Sequence, residues 1–170
     1  MGLTGKVRLW AFRFALRYDL LPSRLLWKKT TRGMGEVIKE TFYRFGENDE
    51  TYHKMYGMFK DMGLRHGKEL KEKYHLGGSP QDCALAVLAA NKTWGKKCKL
   101  DVNGNEIRII LYDCAWADLE GWTPRICAFL TAYEDGLCQG INPDVGHHYI
   151  RRKSLGSLRS CIAVFGLRQK

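Results

Sequence analysis

Apolar positions recur at three- and four-residue steps up to about Gly95 and then alternate with polar ones, which divides the chain into a helical part and a strand-bearing part. Leu9, Phe12, Leu16 and Leu20 form a stripe over residues 6–21 beside a basic face of Lys6, Arg13 and Arg17, and Pro22 stops that helix. Met34, Val37, Ile38 and Phe42 predict a second helix from Ser23 to residue 45. Tyr52, Met55, Phe59, Met62 and Leu70 predict a third over 48–74, with Asn48 or Asp49 as N-cap. Gly57, Gly63 and Gly67 inside it mark close backbone packing or a break, because each glycine costs about 1 kcal/mol against alanine in a helix. Ser79 as N-cap, Pro80 at the first helical position and Asp82 in the first turn start a helix that runs to about Trp94 and is apolar nearly all round.

Beyond Gly95 the period becomes two. Cys98, Leu100 and Val102, then Ile107, Ile109 and Leu111, read as a hairpin with a type I′ turn at Asn103-Gly104. Thr123-Pro124 opens a further helix carrying Ile126, Cys127, Phe129, Leu130 and Tyr133. It is expected to end near Gly136, with a loop over 137–143. Residues 147–155 and 160–167 read as a second hairpin joined through Gly156-Ser157. The expected fold is α+β, with N-terminal helices packed on an antiparallel sheet of about four strands and one helix between two hairpins. With no linker and no internal repeat, the chain reads as one domain over 1–170. Residues 1–46 form a basic helical extension and residues 79–167 a cysteine-bearing core.

The chain carries a net charge of +10, of which ten Lys and Arg against three acids fall in residues 1–46. A basic balance admits nucleic acid, anionic lipid or an anionic small molecule. No zinc finger, RNP-type aromatic motif or recognition-helix pattern speaks for nucleic acid, which the sequence disfavours. The segment 6–21 leaves contact with a membrane surface open beside packing on the domain itself. The N-terminus does not read as a secretory leader, because Arg8, Arg13 and Arg17 interrupt every apolar run. A cytoplasmic location is expected, and with it six reduced cysteines that pack, react or bind metal rather than pair.

Cys114 falls at a strand end, Cys127 near a helix start, Cys138 on a glycine-bounded loop and Cys161 on the last strand. Sheet ends and helix starts converge readily, so Cys114, Cys127, Cys138 and Cys161 are candidate ligands for zinc or an iron–sulfur cluster, although no C-x-x-C pair occurs. A helix N-terminus stabilises a thiolate, which favours Cys127 as a reactive thiol, and Cys83 in the first turn of its own helix gets similar help. Glu134 and His147 are candidates for moving protons. Only one of His147 and His148 can face a given pocket, since neighbours on a strand point to opposite faces. Arg151, Arg152 and Lys153 follow the histidines, and arginine forks match the carboxylate of a small anionic molecule. P-loop, dinucleotide-binding, nucleophile-elbow and H-E-x-x-H motifs are absent from the sequence.

Tyr112-Asp113-Cys114-Ala115-Trp116, Thr123-Pro124-Arg125-Ile126-Cys127, Asp135-Gly136-Leu137, Asn142-Pro143 and Leu155-Gly156-Ser157 with Cys161 together resemble the L-2-amino-thiazoline-4-carboxylic acid hydrolase-like family. More distantly, the last hairpin is similar to vinyl-reductase-like small-molecule-sensing domains. The chain departs from the family pattern at Ala115, where a proline is usual, and at Ser157, where an acid is usual. The resemblance implies hydrolytic opening of a cyclic amidine-like C–N or C–S bond in a small anionic cysteine-derived heterocycle. Cys114, Cys127, Glu134 and His147 would then do the chemistry, with Arg125, Arg151 or Arg152 on the carboxylate. The alternative is a non-catalytic metal-, cluster- or ligand-binding accessory or sensor domain.

Overall fold

A computed structural model describes residues 23–155 and 160–168. The expected helix over 6–21 lies outside the described residues. The described chain runs α1 (Ser23–Phe45), α2 (Asp49–Tyr74), α3 (Pro80–Thr93), β1 (Cys98–Asn103), β2 (Glu106–Leu111), α4 (Pro124–Ile141), β3 (Val145–Arg151), a 3-10 turn (Lys153–Leu155) and β4 (Cys161–Leu167). The fold is α+β, and the sheet has the order β1-β2-β4-β3 with every neighbouring pair antiparallel.

The helix starts behave as their residues dictate. The Asn48 side chain accepts from the backbone N–H groups of Glu50 and Thr51 at the head of α2. Ser79 and Asp82 form a reciprocal capping box on α3. Thr123 caps α4, with Pro124 in its first turn.

Alternation on the strands sends Ile107, Ile109, Leu111, Ala163 and Phe165 into the core against α3 and α4. A second apolar cluster joins Phe42 of α1 with Trp116, Leu119 and Trp122 of the 112–122 loop and Ile126, Phe129 and Leu130 of α4. α1 lies so close to that loop that a Cβ on Gly35 would overlap the Trp116 ring, and the Trp116 indole N–H donates to the Thr31 carbonyl at 2.7 Å.

Two expectations are corrected. α4 does not end near Gly136 but continues to Ile141, so no loop begins at Leu137. Gly136 and Gly140 on α4 face Gly63 and Gly67 on α2, and a Cβ at any of the four would overlap backbone of the opposing helix. These glycines therefore allow two helix backbones to touch, and neither helix breaks at them. The hairpin turn also differs from type I′. Asn103 pairs with Glu106, which leaves Gly104-Asn105 as the loop, and of these two only Gly104 has positive φ (58°). Positive φ at the first central position alone is the type II′ pattern.

Candidate functional site

Cys127, Thr131 and Glu134 are spaced to share one face of α4, the face turned toward the sheet. With Cys114 of the loop after β2, Cys161 at the start of β4, and Lys96, Tyr149 and Arg152, they line an internal pocket of about 30 Å³. Cys138 continues the same helix eleven residues beyond Cys127, which is about 16 Å along the axis at 1.5 Å per residue. It is buried against Cys83 of α3, whose thiol lies 3.8 Å from the Cys138 carbonyl. Contact with Cys83 and burial push the Cys138 thiol up. The four-cysteine set is therefore not assembled. Among the described residues no group of three or more His, Cys, Asp or Glu side chains is placed to hold a metal ion. The expected zinc or iron–sulfur site does not fit these residues.

Of the three arginines, Arg152 alone lines the pocket. It donates to Thr131 Oγ1 at 2.9 Å and lies 3.8 Å from Cys127 Sγ, with its guanidinium over the Tyr149 ring at 4.3 Å. A register shift between Tyr149 and Arg151 explains the choice. The extra residue leaves Ile150 and Arg151 exposed and returns Arg152 to the inner side. Arg125 is committed elsewhere, ion-paired with Asp49 and stacked on Tyr52 at 4.4 Å.

Glu134 is fully buried at the inner end of the pocket. Its carboxylate accepts from Asn91 Nδ2 at 2.9 Å and Tyr149 OH at 2.8 Å, and lies 3.3 Å from His147 Nε2. Burial alone would raise the Glu134 pKa. The hydrogen bond and charge of His147, with help from Lys96 and Asn91, bring it instead to about 2. Burial alone would lower the His147 pKa, but the carboxylates of Asp135, 3.1 Å from Nδ1, and Glu134 hold it up at about 9. At neutral pH this is a charged Glu134–His147–Asp135 cluster. His147 does not line the cysteine pocket and reaches it only through Glu134, whereas His148 on the opposite strand face is exposed. Burial and the Glu134 carboxylate push the Tyr149 hydroxyl well above its usual range, so it stays a donor. Burial likewise raises the Cys161 thiol.

Lys96, Tyr149 and Asn91 are site residues that sequence reasoning missed. Asn91 had a signal: it is the polar member of an otherwise apolar face, four residues after Val87 and eight after Cys83. Lys96 had none, being one of two adjacent lysines after a glycine. It is 7% exposed, donates to Asn91 Oδ1 at 2.7 Å, and lies over the rings of Trp94 and Trp116 at 4.9 and 4.8 Å.

Those two rings also wall a second, larger cavity of about 210 Å³, bounded by Met34, Ile38, Phe59, Met62, His66, Leu130 and Tyr133. Leu130 lines both spaces. At the larger cavity His66 Nδ1 is paired with Tyr133 OH at 2.9 Å.

No protein-family model matches the chain, and no curated protein matches its sequence. Solved structures do match in shape. One is a subunit 3 of the trafficking protein particle complex from Naegleria fowleri, covalently bound to palmitic acid. It is 16% identical with a TM-score of 0.54, over 84% of this chain and 99% of that one. Another is the phenol-responsive sensory domain of the transcription activator PoxR with phenol. It is 17% identical with a TM-score of 0.51, over 79% of this chain and 73% of that one. At these identities the likeness is one of fold. Among the described residues no helix is long and apolar enough to cross a membrane.

Proposed function

We propose that this chain is a small-molecule-binding domain whose ligand sits in the aromatic-walled cavity between α1, α2 and α4. The observation that carries this reading is the cavity itself. About 210 Å³ bounded by Phe59, Trp94, Trp116, Leu130 and two methionines is left open in the middle of the helical layer. Protein interiors are otherwise close-packed, and an apolar cavity with a few convergent polar groups is the usual form of a ligand site. Trp94 and Trp116 offer faces to a planar ring, and methionine adapts to irregular shapes. The two structural neighbours hold phenol and palmitic acid, which supports a ligand-binding use of this fold.

Tryptophan fluorescence tests the reading directly, because Trp94 and Trp116 wall the cavity. Phenol and small thiazolines are expected to change the emission with saturation. Leu130→Trp, which fills the space from α4, is expected to abolish the response while leaving the far-ultraviolet circular dichroism intact. A response unchanged in that variant places binding elsewhere and sinks the reading.

One observation favours a second reading, the hydrolase implied by the family resemblance. Cys114, Cys127 and Cys161 line one pocket with Glu134 and Arg152. In that reading the pocket widens beyond its volume of about 30 Å³ to admit an aminothiazoline carboxylate, the Cys127 thiolate adds to the ring carbon, the ring C–S or C–N bond opens, and water releases the product from the thiol. Cys127→Ser would end turnover with binding retained. Equal turnover in Cys127→Ser and Cys114→Ser removes thiol chemistry from the site.

A further inference from the structure

Two cations on the wall of the cysteine pocket lack a carboxylate partner. Lys96 Nζ reaches only the Asn91 amide oxygen and the two tryptophan faces. Arg152 reaches Thr131, the Cys127 sulfur and the Tyr149 face. Among the described residues neither stands within ion-pair distance of Asp or Glu. The carboxylate that lines the pocket, Glu134, is committed to His147. On the pocket wall, Lys96 and Arg152 therefore face one carboxylate, Glu134, which is already paired with His147. An ammonium taken out of water needs a countercharge, and an amide oxygen with two π faces replaces only part of its hydration.

We infer that the ligand is a small ring-bearing carboxylate, with its carboxylate in the cysteine pocket between Lys96 and Arg152 and its ring in the aromatic cavity. The inference rests on the small-molecule-binding reading above and names the class of ligand. Sizes agree with this division. The cysteine pocket, at about 30 Å³, exceeds the roughly 10–15 Å³ that one water requires and is too small for a ring, whereas the aromatic cavity has seven times that space. The two spaces adjoin at Leu130, and Lys96 lies on the ring face of Trp116, which walls the larger one. Arg152 presents a planar fork that matches a carboxylate, and Lys96 a point charge. Arg152 is thus the arginine of the site, and Lys96 is a second anion-binding residue.

Titration of the full chain with benzoate and benzyl alcohol, which share a ring and differ in charge, tests the inference by calorimetry. Benzoate is expected to bind about tenfold or more tightly, the usual weight of charge-assisted hydrogen bonds. Lys96→Met and Arg152→Gln are each expected to remove that preference while keeping the binding of benzyl alcohol. Because either variant can lose its fold, the comparison within the unaltered protein is decisive by itself. Equal binding of the two probes overturns the carboxylate and leaves the small-molecule reading standing, whereas binding of neither removes both. A thiolate in the pocket would supply an internal countercharge. An ultraviolet thiolate band at neutral pH in the ligand-free protein, lost in Cys127→Ser, shows the site already balanced and overturns the inference.

Discussion

Glu134 is the residue on which the buried polar cluster turns, because its two oxygens gather Asn91, Tyr149 and His147. Glu134→Gln keeps the shape and removes the charge, leaving the buried His147 with Asp135 alone. Breaking a buried pair in this way is expected to destabilise by on the order of 3 kcal/mol, measured by urea unfolding. The same pair sets a pH profile. Glu134 falls from 4.5 to about 2 on folding, so its contribution is present above pH 4.5 and is lost as pH falls toward 2. His147 rises from 6.5 to about 9, so its contribution is full below pH 6.5 and is lost as pH rises toward 9. Unfolding free energy is expected to be greatest between about pH 4.5 and 6.5, and His147→Gln is expected to flatten the alkaline side. Glu134, His147 and Cys127 were visible in the sequence as residue types with chemistry. Their partners were not, since Asn91 is 43 positions from Glu134.

The glycines of α2 decide how two helices meet. Gly63→Ala inserts a methyl into the Tyr133 carbonyl on α4, where backbone rather than a flexible side chain is in the way. The expected result is a loss of several kcal/mol or failure to fold, read as a fall in thermal midpoint. Gly57 in the same helix has nothing within 4 Å of a would-be Cβ. Gly57→Ala is therefore expected to stabilise by about 0.5–1 kcal/mol through helix propensity. Opposite signs for one substitution in one helix test the crossing itself. At the head of α3, Ser79→Ala removes the capping box and is expected to cost about 1 kcal/mol. The caps were legible because they depend on residues within one turn. The continuation of α4 past Gly136 was not, because its reason lies on α2. The shift in β3 that turns Arg152 inward was invisible for a similar reason: alternation cannot announce where it slips.

Across the whole molecule, the sheet, α4 and Cys114 of the 112–122 loop hold the cysteine pocket, while α1, α2 and Trp116 of the same loop close the aromatic cavity beside it. Both spaces exist only in the folded state, so a bound ligand stabilises the fold by mass action. At a hundred times its dissociation constant the gain is about 2.7 kcal/mol, which for this chain length is roughly 5–10 °C in thermal midpoint. Differential scanning calorimetry with a ring carboxylate is expected to show this shift, and Leu130→Trp to lack it.

The sequence by itself determined the α+β class, the order of the described helices and strands and most of their starts, and the sides of the first hairpin's return strand, although it carried the 147–155 strand over residues 153–155, which form a 3-10 turn. Each of these follows from periodicity and capping, which act within a few residues along the chain. Only the tertiary structure decided that Cys138 stands apart from the other thiols. It alone brought Lys96 to the pocket and chose Arg152 over Arg125 and Arg151. Those outcomes depend on helix length, a strand bulge and a glycine-lined crossing, which bring together residues far apart in sequence and leave no local pattern to read.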